Sequence, residues 1–271
     1  MGASSLLDPL TVLDLFRSPF KVQDDSMVVT ATMGLTQELG GGIAGRDALK
    51  DANIALKLAK KNRRGSFVMF SAQMGADIRE RVRLLQALRH AVESERLFVV
   101  YQPQVNLTSG KLVGVEALIR WRNEDGTYVP PDRFIPLAEA SGMIVAIGDW
   151  VLRVSCMELA RLQALGLPDL RMSVNVSQIQ FRHPEFLEKL RSALTDTGIN
   201  PKCLELEITE SVAMEDPDFM LETLHKVRKM DISIAIDDFG TGYSSLSHLR
   251  QLPIDRLKID RAFVTELNSA V

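Results

Sequence analysis

The sequence predicts an α/β protein whose larger part is a (β/α) barrel. After residue 96, short apolar runs typical of strands alternate with amphipathic segments typical of helices. Strands separated by helices favour parallel pairing, either in a barrel or in a doubly wound sheet. Polar side chains also recur at the carboxyl ends of these strands, and a barrel brings such ends together on one rim. We therefore favour the barrel.

The composition is that of an ordinary globular protein. The chain has 271 residues, of which 46% are hydrophobic, enough for one large domain or for a small domain and part of a second. Its net charge of −3 provides no general attraction for nucleic acid or anionic membranes, so a phosphate ligand would need local cations or metal ions. No apolar run approaches the roughly 18 to 20 residues that span a bilayer, and the start of the chain does not resemble a signal peptide. We expect a cytoplasmic segment with no membrane contact and no nucleic-acid polymer as partner.

The two cysteines lie far apart, without histidine or cysteine partners at metal-binding spacing. We interpret Cys156 and Cys203 as buried free thiols in a reducing compartment.

The first elements of the chain form a short α/β segment. Residues 26–33 predict a strand, 45–65 a helix and 66–70 a second strand. The helix ends in KKNRRG, which either binds phosphate or complements the helix dipole, and we favour the dipole. Residues 76–96 predict a further helix that is either a signalling linker or a helix packed on a neighbour, and its apolar stripe favours packing. The stripe consists of Ile78, Val82, Leu85, Leu88 and Val92.

Six strands are predicted in the barrel region, with amphipathic helices at residues 147–166 and 185–198 between some of them. The strands cover residues 97–102, 111–118, 171–177, 203–209, 232–237 and 256–260.

Seven polar groups from five of these strands would share the rim of the barrel. They are Glu116, Asn175, Glu207, Asp237, Asp238, Lys258 and Asp260. Two carboxylates 4 Å apart repel by about 4 kcal/mol at an effective dielectric near 20, so these acids either hold protons or surround divalent cations. The neutral amide oxygen of Asn175 favours cations, and all-oxygen ligation suits Mg²⁺ or Mn²⁺.

Adjacent Asp237 and Asp238 could both face the rim if the chain turns at the end of its strand. Two ions about 3.5 to 4 Å apart would then stabilise the attacking and leaving oxygens of phosphodiester hydrolysis. The following Gly240, Thr241, Gly242 and Tyr243 predict a loop that can approach a ligand closely and move.

Each of these residues also has an ordinary interpretation. A single carboxylate at a strand end is usually solvated or paired with a nearby base, which is our expectation for Glu205. Lys258 could form a simple ion pair with Asp255 or Asp260. The stretch DDFGTG alone is a weak signal, because Asp together with Gly is common in turns. The joint occurrence across successive strands favours a functional site.

The stretch GVEALIRW, which contains Glu116, resembles the signature of the EAL family of bacterial cyclic di-GMP phosphodiesterases. The resemblance covers most of residues 97–264 in family order. Other matching stretches are YQPQVNLTSGKL, FIPLAEASGMIVAIGDWVL, SVNVSQIQF, LELEITES and IAIDDFGTGYSSLSHLRQLPIDRLKIDRAFV.

This resemblance implies a TIM-type barrel whose first strand is antiparallel, and two Mg²⁺ or Mn²⁺ ions that cut cyclic di-GMP to linear pGpG. The implied roles are metal binding by Glu116, Asn175, Glu207, Asp237 and Asp238, orientation or activation of water by Lys258, phosphate binding by Arg120, ligand contact by Gln102 and Asp260, and stabilisation of the DFGTGYSS loop by Glu210. The family also implies a homodimer coupled to that loop.

Residues 8–72 resemble the C-terminal half of a GGDEF domain, the fold of the cyclases that make the same dinucleotide. The GGDEF signature is absent and Asn53 stands where an aspartate is usual, so we expect no cyclase activity. The predicted organisation is a partial GGDEF-like domain (1–72), a linker helix (73–96) and an EAL domain (97–271). About six of the eight barrel strands are present, which predicts an incomplete barrel taken from a longer protein whose upstream region could anchor it in a membrane.

Three functional hypotheses follow. The first is hydrolysis of cyclic di-GMP, and the complete set of metal-binding residue types favours it. The second is a catalytically inactive receptor for cyclic di-GMP that signals through the linker helix. The third is a metal-dependent barrel enzyme that acts on another phosphate substrate.

Overall fold

A computed structural model describes residues 8–23, 25–37, 45–214, 216–240 and 250–268. The chain divides into two compact units, Met1–Leu84 and Leu85–Val271.

The first unit is a small α/β arrangement. Its elements are α1 (Pro9–Asp14), β1 (Phe20–Val22), β2 (Asp25–Met27), β3 (Met33–Leu35), α2 (Gly45–Asn62), β4 (Phe67–Met69) and the start of α3 (Ala72–Glu93). β1 and β2 pair antiparallel, whereas β3 and β4 pair parallel. Helix α2 lies directly on β3, because a Cβ added at Gly34 would overlap the backbone of Ala52 and Leu56.

Two predictions for the amino-terminal part need correction. The strand predicted over 26–33 is wrong, since β2 ends at Met27 and β3 begins only at Met33. Helix α3 begins four residues before the predicted start, and its apolar stripe is only partly buried. Leu88 is inaccessible, whereas Ile78, Val82 and Val92 are 41–51% exposed. Helical periodicity therefore predicted the helix correctly but overstated its packing.

The second unit is built on one seven-stranded sheet. Its strands are β5 (Leu97–Val105), β6 (Leu112–Arg122), β7 (Tyr128–Val129), β8 (Arg171–Asn175), β9 (Leu204–Thr209), β10 (Ser233–Phe239) and β11 (Arg256–Ile259). The order is β11-β10-β9-β8-β6-β5, and β7 pairs with β6. β5 and β6 are antiparallel, and each pair from β6 to β11 along this path is parallel. The six predicted strands and the antiparallel first strand are confirmed. Among the described residues, the sheet is open, not a closed barrel.

Helices separate most of these strands, as expected for parallel pairing. They are α4 (Pro131–Ser141), α5 (Met143–Ala164), α6 (Gln178–Phe181), α7 (Phe186–Thr197), α8 (Glu210–Met214), α9 (Pro217–Arg228) and α10 (Arg261–Asn268), with a 3₁₀ turn at Pro201–Cys203. Helix α5 starts four residues before the predicted helix because Gly142, at φ +77°, ends α4 and leads directly into it. No single helix in the described part of the chain has the length and hydropathy of a membrane span. Helices α4 and α5 reach those values only when they are taken together, across a bend of 119°.

Strand β9 is buried on both faces. Leu204, Leu206 and Ile208 point to one face, while Glu205 and Glu207 point to the other, and all five are at most 1% exposed. Because side chains alternate along a strand, the two glutamates lie at successive levels of the same face. The face of the sheet that carries Glu205 and Glu207 is therefore buried, and charged groups on it need partners.

Both cysteines are free and buried, as the sequence predicts. Burial raises the pKa of Cys156 to about 12. We expect neither thiol to react with a disulfide reagent at pH 8 in the native protein, since the thiolate is the nucleophile and Cys156 stays protonated. Titration before and after unfolding in guanidinium chloride would check this, and rapid labelling of Cys156 in the native state would contradict it.

Candidate active site

Three carboxylates from three strands meet on the interior face of the sheet. Glu116 of β6, Glu207 of β9 and Asp237 of β10 each place an oxygen within 4.8 Å of the other two. Glu116 and Asp237 are partly exposed, while Glu207 is fully buried. The distance is short enough for strong repulsion between ionised groups, so this cluster requires positive charge.

Lys258 of β11 supplies one positive charge to the cluster. Its Nζ donates hydrogen bonds to Glu207 Oε2 at 2.6 Å, to Glu116 Oε2 at 3.0 Å and to Asp237 Oδ2 at 3.0 Å. Burial alone would lower the pKa of Lys258, but its bonds to Glu207 and Asp237 and the charge of Glu116 raise it above the usual value. The side chain is therefore an ammonium group.

Within the part of the chain that the structure describes, Lys258 pairs with Glu116, Glu207 and Asp237 and with neither Asp255 nor Asp260. Asp255 instead accepts hydrogen bonds from Arg228 to both of its oxygens, at 2.7 Å, and from the backbone N–H of Ile234 at 2.9 Å.

Glu207 has a pKa well above that of an ordinary glutamate. Burial raises its pKa to about 7 against the opposing effect of Lys258, and the charges of Glu116 and Asp237 raise it further. Its second oxygen, Oε1, is buried and has no hydrogen-bond partner among the described residues.

Glu205, one level away on the same face of β9, differs sharply from Glu207. It accepts a hydrogen bond from Ser173 at 2.8 Å and lies 3.3 Å from Arg171 and 3.4 Å from Arg256. The expectation that Glu205 pairs with nearby bases is confirmed. Among the described residues, each glutamate has one buried oxygen without a hydrogen-bond partner, Oε2 of Glu205 and Oε1 of Glu207. Glu205 Oε2 nevertheless lies 3.4 Å from the Arg256 guanidinium.

Asn175 is the last residue of β8 and lies beside Glu207 in the strand register. Its Nδ2 donates a hydrogen bond to Glu116 Oε1 at 2.9 Å. Asn175 is therefore next to two of the three clustered acids, Glu116 and Glu207.

The two adjacent aspartates both lie within a β-bulge of β10. The register of β10 against β11 shifts between Ile236 and Phe239, and Asp238 has φ +54°. Such a bulge inserts one extra residue and re-aims the side chains. The chain thus turns at the end of β10, as the prediction for the two aspartates required. Asp238 is nevertheless not one of the three carboxylates whose oxygens lie within 4.8 Å of one another.

Asp238 lies in the electrostatic neighbourhood of the cluster. Burial raises its pKa, as do the charge of Asp237 and the charge and hydrogen bond of Asp260, while Lys258 opposes the shift. Asp260 also accepts the backbone N–H of Ala262 at 2.7 Å, at the start of α10. The structure therefore brings Asp238 close to both Asp237 and Asp260.

Glu210 is buried at the start of α8 and accepts a hydrogen bond from the backbone N–H of Gly240 at 2.7 Å. Gly240 has φ +101°, which suits glycine. Thr241, Gly242 and Tyr243, predicted to form a loop, lie outside the described residues.

A cavity of about 340 Å³ borders the cluster. Asn175, Glu207 and Arg120 contribute polar groups to its wall, and α4 and α5 contribute mostly apolar side chains. Arg120 donates a hydrogen bond to the carbonyl of Ile119 at 2.9 Å. Gln102, which is exposed, pairs with Glu116 in the register of β5 and β6.

Two features of this wall were not anticipated from the sequence. Ser177 and Gln180 form a capping box at the start of α6, and burial raises the pKa of Glu139. The capping box has a sequence signal, Ser-x-x-Gln after a strand, whereas the burial of Glu139 has none.

The donor set fits a hard divalent cation. All candidate ligands are carboxylate or amide oxygens, and Glu207 Oε1 is a buried acceptor without a partner in the described part of the chain. A buried, unpaired carboxylate oxygen is costly, and a cation would offset that cost.

The EAL domain family profile matches residues 85–270. The bifunctional diguanylate cyclase/cyclic di-GMP phosphodiesterase MucR of Pseudomonas aeruginosa is 39% identical over 92% of this chain and 36% of its own length. The cyclic di-GMP phosphodiesterase NbdA of the same organism is 36% identical over 94% of this chain and 33% of its own length. The chain thus spans about a third of the length of these relatives.

Solved structures show the same relationship. The PaMucR phosphodiesterase in complex with c-di-GMP is 44% identical, with a TM-score of 0.67 over 69% of this chain and 75% of that chain. The FimX EAL domain of Pseudomonas aeruginosa bound to c-di-GMP is 27% identical, with a TM-score of 0.61 over 68% of this chain and 74% of that chain. The chain therefore belongs to the EAL domain family, the divalent-metal-dependent family of cyclic di-GMP phosphodiesterases.

Proposed function

We propose that this chain hydrolyses cyclic di-GMP to linear pGpG with Mg²⁺ or Mn²⁺. The observation that carries the proposal is the convergence of Glu116, Glu207 and Asp237 on Lys258 beside Asn175, in a chain of the EAL family. In the reaction, a water oxygen attacks phosphorus and loses a proton, the ester P–O bond to the ribose 3′ oxygen breaks, and that oxygen takes up a proton and leaves as a hydroxyl group. The product then carries a 5′ phosphate.

The residues that would hold two ions are Glu116, Asn175, Glu207, Asp237 and Asp238. When bound, such ions generate a nucleophile from water and stabilise the attacking and leaving oxygens. Lys258, as an ammonium group bound to three of these acids, keeps the carboxylates together and would orient the water.

The residues that would bind the dinucleotide surround this centre. The Arg120 guanidinium would bind a phosphate, and the cavity beside it would accept part of the ligand. Gln102, on β5, and Asp260, directly after β11, would contact the ligand. Supporting this, the named structures of MucR and FimX are complexes with c-di-GMP.

Glu210 would stabilise the loop that follows Gly240, through the hydrogen bond to the Gly240 N–H. We further propose that this loop takes part in a homodimer of the EAL domain. The 92% coverage of the match to MucR extends upstream of residue 85, which supports a GGDEF-like origin for residues 1–72. We expect the segment to act in the cytoplasm and to have no cyclase activity.

The proposal is tested by incubating the protein with cyclic di-GMP and either Mg²⁺ or Mn²⁺ and separating the nucleotides by chromatography. We expect pGpG to accumulate, and EDTA to stop its formation because the acids alone cannot activate water. Tight binding of cyclic di-GMP without turnover under these conditions would overturn the proposal and support the receptor hypothesis.

A further inference from the structure

Gln180 is a buried polar residue that the proposed chemistry does not use. It is 7% exposed and lies in the short helix α6. Its Oε1 accepts the backbone N–H of Ser177 at 3.2 Å, and its own backbone N–H donates to Ser177 Oγ at 3.3 Å. These reciprocal bonds fix the start of α6.

Helix α5 has a glycine, Gly148, where the Gln180 carboxamide lies against it. A Cβ added at Gly148 would overlap the Nε2, Cδ and Oε1 atoms of Gln180. Gly148 is itself buried, so a larger residue there could be accommodated only if the Gln180 side chain moved away. That movement would break the bond from Ser177 N–H to Gln180 Oε1.

The backbone between the capping box and Asn175 has little slack. Asn175 ends β8, Val176 N–H donates to the carbonyl of Glu207 at 2.8 Å, and Ser177 follows in an extended conformation. Asn175 is thus fixed from one side by β9 and from the other by Ser177. A displaced Ser177 would shift the Asn175 amide, whose Nδ2 lies 2.9 Å from Glu116 Oε1.

We infer that Gly148, Ser177 and Gln180 form a positioning unit that sets the Asn175 amide for metal binding. The inference rests on the proposed function, because it takes Asn175 as a metal ligand. All three residues line the cavity beside the cluster, but none of them needs to touch the ion. They act through the backbone of residues 175–177, as groups behind a metal ligand commonly do.

The test is direct titration of the protein with Mn²⁺ by calorimetry, for wild type and for Gly148→Ala. We expect Gly148→Ala to weaken Mn²⁺ binding by about 10-fold, the lower end of the range for groups that orient metal ligands. The Mn²⁺ concentration that gives half-maximal hydrolysis should rise by the same factor, with a smaller change in kcat at saturating Mn²⁺. A loss of stability alone would not produce this split.

Three further variants separate positioning from packing. Cys156→Ala, on the buried side of the same helix two turns away, should leave Mn²⁺ affinity unchanged even if it lowers the Tm. Ser177→Ala should reproduce the weaker binding, and Ser177→Thr, which keeps the hydroxyl, should restore it. The double variant Gly148→Ala/Gln180→Ala should bind no more weakly than Gln180→Ala, since both changes disrupt one contact.

Failure of the inference and failure of the proposed function give different results. If wild type binds Mn²⁺ and Gly148→Ala binds it equally well, the positioning unit does not exist and the proposed function stands. If wild type binds no Mn²⁺, the proposed function fails, and this inference fails with it.

Discussion

Glu207→Gln is expected to reduce hydrolysis of cyclic di-GMP by about 100-fold or more, which corresponds to about 2.7 kcal/mol of transition-state stabilisation. The substitution keeps the shape of the side chain but removes a charge from the centre of the cluster. Glu207 is fully buried, bonds Lys258 at 2.6 Å and retains an unpartnered oxygen within the described residues. A neutral amide at this position cannot compensate a divalent cation, so Mn²⁺ affinity should fall as well.

Glu205→Gln is the matched control for this prediction. Glu205 lies on the same strand and face, is equally buried and also contacts cationic groups, but these are Arg171 and Arg256. We expect this variant to lose stability and to keep its Mn²⁺ affinity and its specific activity. Chromatography of pGpG and Mn²⁺ calorimetry on both variants provide the comparison. Equal losses of activity would show that general destabilisation, and not the chemistry of Glu207, controls the rate.

Much of the second unit could be predicted because its strands are short, apolar and separated by clear helical segments. The strands at β5, β6, β8, β9, β10 and β11 all lie within a few residues of their predicted bounds. The meeting of Glu116, Glu207 and Asp237 followed from a topological rule, since the carboxyl ends of parallel strands share one edge. No side-chain detail was required for that step.

Other features depend on tertiary context that a single sequence does not contain. The long strand expected at 26–33 is interrupted in the structure. The sequence could not predict this, because alternating hydrophobicity does not specify whether a partner strand is available. The sequence did not decide whether Lys258 pairs with Asp255, with Asp260 or with the acidic cluster. In the structure Arg228 donates hydrogen bonds to Asp255, and its position could not be predicted from the sequence. Likewise, the sequence around Gly148 does not predict that this glycine leaves space for the side chain of Gln180 from another helix.

Lys258→Met is expected to lower the free energy of unfolding by about 3 to 5 kcal/mol in the presence of EDTA, the cost of removing one partner from a buried ion cluster. The lysine side chain is 22% exposed, and its ammonium group is within 3.0 Å of an oxygen from each of three acids. Without it, Glu116, Glu207 and Asp237 would face one another uncompensated. Hydrolysis should be lost in the same variant because the water would no longer be oriented.

Urea unfolding in EDTA, compared between wild type and Lys258→Met, measures the effect on stability. Lys226→Met is the matched control, because Lys226 pairs with Glu222 at 2.7 Å on the exposed side of α9, where an ion pair contributes little. Added Mn²⁺ should stabilise Lys258→Met more than wild type, since cations would then supply the only positive charge among the three acids. An unfolding midpoint unchanged by Lys258→Met would contradict the central electrostatic argument, because the acids would then need no cation to remain together.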